Sequence, residues 1–184
     1  MSEYTIVRHC APTLAGLKTG NLFVISYDDE DKLHSDIERM NKAHGDKGLS
    51  FVVFRARGGR ALIYVYRPKK LASDLDRKEA KEILSGLGYG ESPELESCIR
   101  RLSHKIRGCD KFPHEVGLFL GYPPEDVRGF MECKGKDFKK CGCWKVYGDV
   151  SEAEKMFCKF DKCTCVYMDC LARGKSFEEL IVNI

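Results

Sequence analysis

The sequence predicts an α/β fold, with α+β as the alternative. The expected architecture is one mixed sheet of about four strands around a central hairpin, flanked by helices and followed by a helical C-terminal half. Three observations carry this. Asn21 to Tyr27, Leu49 to Arg55 and Ala61 to Arg67 are short runs rich in β-branched and aromatic residues. The last two are nearly continuous in apolar character, as expected of a sheet covered on both faces. Between and after them, apolar residues recur at helical spacing.

Taken in order, Cys10-Ala11-Pro12-Thr13-Leu14-Ala15-Gly16-Leu17 reads as a short helical turn, with Pro12 near its first position. The strand from Asn21 to Tyr27 follows. Asp28 to Glu30 can cap the next helix, whose stripe is Leu33, Ile37, Met40 and Ala43 and whose stop is Gly45. The two hairpin strands are joined by Gly58-Gly59, which supplies the positive φ of a tight turn. Arg67-Pro68 stops the second strand. Asp76 to Leu87 reads as a helix opened by Asp76…Glu79, and Ser92-Pro93 opens another carrying Leu95, Ile99, Leu102 and Ile106. Shorter helices are expected at His114 to Leu120 and Pro124 to Cys133. Cys143 to Tyr147 is the expected fourth strand. Ser151…Glu154 opens a helix to about Phe160, and a last helical stretch runs from Thr164 to Arg173. Neither a repeat nor a long linker divides the chain, so residues 1–184 read as a single domain.

The 31 basic and 28 acidic residues leave a net charge of +3, too little to imply a polyanionic partner by itself. The N-terminus lacks the pattern of a signal peptide, and the apolar runs are too short to span a bilayer. A cytoplasmic protein is therefore expected, its ten cysteines held as free thiols or metal ligands and not as disulfides.

Cys10 is the first candidate for chemistry. At the start of a helix beginning Ala11-Pro12, the dipole would favour its thiolate; otherwise it is a small buried hydrophobe. His114 and Glu115 follow as an acid/base pair, although adjacent helical residues do not face each other. Cys141-Gly142-Cys143 and Cys163-Thr164-Cys165 form a C-x-C…C-x-C pattern, with Cys141 and Cys163 the favoured ligands for iron or zinc. That pattern needs the second pair to lie outside regular helix, where residues two apart diverge by about 200°. Residues 114–133 resemble helix-turn-helix spacing, but Glu125 and Asp126 stand where a phosphate backbone would approach. A packed helical hairpin is the alternative, and a nucleic-acid partner is not favoured. Arg67, Trp144 and Lys145, at strand ends, can line a site for an anion or an aromatic ligand, or can be rim residues.

Cys10-Ala11-Pro12-Thr13-Leu14-Ala15-Gly16, Tyr66-Arg67-Pro68, residues Phe112 to Pro123 (FPHEVGLFLGYP) and Cys141 to Gly148 (CGCWKVYG) together resemble an uncharacterised family of small proteins from anaerobic bacteria. This chain departs from that pattern at Cys143, where an aromatic residue is expected. The resemblance implies an association with flavodoxins and ferrous-iron transport, hence a flavodoxin-like redox partner. The leading expectation is an accessory protein of thiol, redox or iron metabolism. The alternatives are a helix-turn-helix regulator using residues 114–133 and a protein-interaction module without chemistry.

Overall fold

The computed structural model describes residues 2–108 and 112–184. Its main sheet has three strands, β1 (Gly20–Ser26), β2 (Ser50–Arg57) and β3 (Arg60–Tyr66), in the order β1-β3-β2 with every ladder antiparallel. The expected mixed sheet is corrected by the hairpin. Gly58 and Gly59, both at positive φ (58° and 72°), turn β3 back between β1 and β2, so those two like-directed strands never pair. The fourth strand is corrected too. Only Lys145–Val146 (β5) is extended, and it pairs with Lys140–Cys141 (β4) as a separate two-stranded ribbon.

Alternation along the strands builds a core on each face of the main sheet. Phe23, Phe51, Ile63 and Val65 face α1 (Glu3–Leu14), α2 (Glu30–His44) and the C-terminal segment around Phe177 and Leu180. Phe54, Tyr64 and Tyr66 face α3 (Pro68–Leu75), α4 (Lys78–Gly86), α5 (Leu95–Gly108), α6 (Val116–Phe119) and α7 (Pro124–Glu132). There the three rings stack at 4.8 Å centroid spacing, and the Tyr64 hydroxyl donates to the Phe119 carbonyl at 2.6 Å. A third, smaller cluster joins Trp144 and Val146 to Ala153 and Phe160 of α8 (Val150–Ala172).

Several element boundaries differ from expectation for local reasons. The first helix begins at Glu3, because Ile6, Val7, Cys10, Ala11 and Leu14 form a buried stripe that outweighs Pro12's preference for a first turn. The backbone carbonyl that Pro12 leaves without its helical donor belongs to exposed Arg8. Asp76 closes α3 and does not open α4. Asp149, not Ser151, caps α8 by accepting from the Glu152 N–H at 3.1 Å, and the two expected C-terminal helices are this one continuous element. Among the described residues no helix is long and apolar enough to cross a membrane.

Candidate functional site

Two successive segments of the chain close around one cavity of about 290 Å³. The first runs from Phe112 through α6 into α7, the second is the β4–β5 ribbon. Pro123-Pro124 gives α7 its start, since proline at a first helical position forfeits no helical hydrogen bond. This aims Asp126, in the first turn, inward. Its buried carboxylate accepts from Trp144 Nε1 at 2.6 Å and from the Tyr147 and Gly148 N–H groups, each at 2.7 Å. One acidic side chain thus clamps the ribbon to the helix.

The clamp fixes Trp144, which stacks on Tyr122 at 4.9 Å and meets Phe157 edge-on at 4.5 Å. Phe130 and His114 form the opposite wall, 5.0 Å apart in edge geometry. Gly117 in the floor is required by close approach. A Cβ there would lie 2.7 Å from Val127 Cγ2 and 3.2 Å from the Tyr122 ring. Among the described lining residues Lys145 is the only lysine or arginine. Its ammonium lies 4.7 Å from the Phe138 ring centre and donates to the Gly135 carbonyl at 2.6 Å.

The cavity thereby gathers four residues expected from sequence: His114, Cys141, Trp144 and Lys145. The remaining candidates lie elsewhere. Glu115 turns away from His114 into the helical core, where it is paired with Lys105 Nζ at 2.6 Å and accepts from the Tyr89 hydroxyl at 3.2 Å. The two do not form an acid/base pair.

Arg67 is buried at 1% exposure, with Nε donating to the Thr13 carbonyl at 2.9 Å and Nη1 to the Lys47 carbonyl at 2.7 Å. Nη2 donates to the Leu14 carbonyl. It is the cap of the α1 C-terminus and lines no part of the aromatic cavity.

Cys10 is likewise displaced from its expected helix start. It lies towards the C-terminal end of α1, at 0% exposure, where the dipole disfavours a thiolate and burial pushes the thiol pKa up. Alkylation should reach Cys141, Cys143, Cys158 and Cys165, all exposed, while Cys10 reacts only as fast as the protein opens. Peptide mapping after a short iodoacetamide pulse would contradict this placement if Cys10 were among the early products.

The second C-x-C pair does not meet the condition set for a four-thiolate site. Cys163-Thr164-Cys165 lies inside α8, so the two side chains point to different sides of the helix. Burial raises the Cys163 thiol to about 11. Among the described residues no group of three or more His, Cys, Asp or Glu side chains could hold a metal ion. Nor does α7 offer a basic face to nucleic acid. Outward it shows Glu125, Arg128 and Glu132, with Arg128 paired to Glu82 at 3.0 Å.

Sequence reasoning missed Asp126 as a clamp, Tyr122 and Phe130 as walls, and Lys18 altogether. The aromatic density between Phe112 and Trp144 was the available signal for the walls. Lys18 is 9% exposed and lies between the rings of Tyr122 (5.2 Å) and Phe160 (5.8 Å). Burial pulls its pKa down to about 8, against the smaller opposing pull of Cys143 and Cys10. With the folded pKa below the unfolded one, the native state holds fewer protons from about pH 8 to 10.5. Lys18 therefore penalises the fold fully below pH 8, and the penalty fades as pH rises through that window. The stability difference between Lys18→Met and wild type should be largest at pH 7 and shrink above pH 8 by up to about 1.4 kcal/mol per pH unit. Urea melts of both proteins at each pH measure it; a difference independent of pH would contradict the burial of a charged amine.

The matched span of the family comparison includes every element of this site. The chain belongs to a family of proteins of unknown function (DUF3793). The family model matches residues 6–181, from within α1 to the end of the C-terminal segment on the sheet. No curated protein and no solved structure matches it. The cysteine-rich composition, ten in all, is that of a family member whose nine described thiols are free.

Proposed function

We propose that the protein binds a small molecule, a flat aromatic ligand bearing a negative charge, in the cavity between α6–α7 and the β4–β5 ribbon. The supporting observation is the convergence of Trp144, Tyr122, Phe130 and His114 on one cavity where Lys145 is the only lysine or arginine among the described lining residues. Aromatic walls favour a planar body through stacking and edge contacts. The Lys145 ammonium orients the acidic group. The carboxylate of Asp126 is already engaged by three donors, so it serves the wall and does not compete for that ammonium.

The test compares 1-naphthoate with its uncharged carboxamide, titrated against wild type and Lys145→Met by calorimetry. The reading expects naphthoate to bind more tightly than the amide in wild type, and the preference to vanish in the variant. Equal binding of both probes to wild type would remove the anionic half of the proposal. Binding of neither would remove the whole.

A second reading keeps the thiol chemistry expected from sequence and moves it from Cys10 to Cys141, the exposed thiol in the cavity wall. Its test is protection: bound naphthoate should slow alkylation of Cys141 and leave Cys158 unaffected.

A further inference from the structure

In the second half of β2, a single inserted residue assembles a second cluster. The register of β2 on β3 shifts between Val53 and Arg55, so Phe54 is bulged. Before the bulge, Val53 stands opposite Ile63. After it, Arg55 stands opposite Leu62, Ala56 opposite Ala61 and Arg57 opposite Arg60. Strict alternation from Phe54 would send Arg55 and Arg57 to the face occupied by α1 and α2. The bulge returns them to the face of α3–α7 and places Ala56 against the other core. Three arginines thus share one face of the hairpin.

The last turn of α5 adds a fourth. Arg107 donates through Nε to the carbonyl of the bulged Phe54 at 2.9 Å, and through Nη2 to the Val53 carbonyl at 3.4 Å. Arg55, Arg57 and Arg107, with His34 of α2, line a cavity of about 560 Å³ that shares no residue with the aromatic one. Glu30 is the only carboxylate among its described lining residues, 3.9 Å from His34 Nε2. Among the described residues, the guanidinium groups of Arg55, Arg57 and Arg60 have no hydrogen-bond or ion-pair partner.

Like charges directly opposite on a ladder are destabilising, and Arg57 opposite Arg60 is such a pair. A fold that needed only a solvated hairpin end would gain by placing a carboxylate at either position. We infer that this cavity binds the phosphate groups of a small phosphorylated molecule, held by the planar guanidinium forks of Arg55 and Arg57 with the remaining Nη1 of Arg107 beside them. Arginine suits this role because its fork matches two phosphate oxygens at once.

Inorganic pyrophosphate is the probe, titrated by calorimetry at fixed ionic strength against wild type, the Arg55→Gln/Arg57→Gln double variant and Arg60→Glu. Wild type should show saturable binding, weakened roughly tenfold or more in the double variant. Arg60→Glu places a carboxylate opposite Arg57, so it should raise the melting temperature and weaken pyrophosphate. That variant keeps the test decisive should the double variant not fold. Absence of saturable binding, or unchanged binding in the folded variants, would overturn the proposal. So would a short oligonucleotide binding far more tightly than pyrophosphate through the same arginines, since that would make the cluster a nucleic-acid surface.

Discussion

Asp126→Ala is expected to cost about 3–5 kcal/mol of stability, enough to lower the melting temperature of a chain this size by about 10 °C or more. The carboxylate is 3% exposed and accepts from an indole N–H and two backbone N–H groups. Hydrogen bonds to a charged acceptor contribute about 1.5–3 kcal/mol each, and donors left buried without a partner cost more than the bonds alone suggest. The loss is not the simple sum, because the ribbon can shift and admit water. Asp126→Asn preserves the shape but points an amide N–H₂ at one donor, so an intermediate loss of about 2 kcal/mol is expected. Thermal melts followed by circular dichroism give both numbers. A melting temperature for Asp126→Ala within a degree of wild type would show that the ribbon is held by something else.

Arg67→Ala should destabilise by a similar amount, about 3–5 kcal/mol, for a different reason. No described carboxylate neutralises this guanidinium. Its charge is balanced by the carbonyl end of α1, where Thr13 and Leu14 accept, and by the Lys47 carbonyl in the α2–β2 connection. One side chain at the end of β3 therefore joins a helix terminus to a loop. Arg67→Lys keeps the charge but cannot reproduce the planar fork, and should recover less than half of the loss. Because Arg67 lies apart from the aromatic cavity, Arg67→Lys should retain wild-type affinity for 1-naphthoate. Calorimetry on that variant checks the point, and a tenfold loss of affinity would return Arg67 to a ligand-binding role.

Much of this architecture was legible in local pattern. The Gly58-Gly59 turn, the two-sided apolar strands and the Leu95, Ile99, Leu102 and Ile106 stripe each rest on contacts within one element or its immediate neighbour. His114, Cys141, Trp144 and Lys145 were legible as candidates because their residue types carry chemistry whatever surrounds them. Their convergence was not, since it depends on Asp126 joining α7 to a ribbon that follows it in the chain. Asp126 itself read as an acid unfavourable to a phosphate backbone; its three acceptor contacts come from tertiary structure.

Cys10 shows the opposite failure. Pro12 favours a first helical turn, yet the apolar stripe from Ile6 to Leu14 gains more by burial against the sheet than one missing hydrogen bond costs. The helix therefore starts earlier, and a residue expected near the positive end of a dipole lies near the negative one. The bulge at Phe54 was hidden for a related reason. Alternation in Ser50–Arg57 is ambiguous when both faces are covered, so only pairing with β3 reveals which residue is extra.

The central claim is that the cavity beside Trp144 is a binding site for a flat aromatic anion. Trp144 is the only tryptophan in the chain, so its emission reports on that cavity alone. Titration of wild-type protein with 1-naphthoate should change Trp144 fluorescence in a saturable way, with a midpoint matching calorimetry, and Phe130→Ala should shift the midpoint to higher concentration. A Trp144 signal that stays constant while naphthoate binds would place the ligand elsewhere and contradict the account.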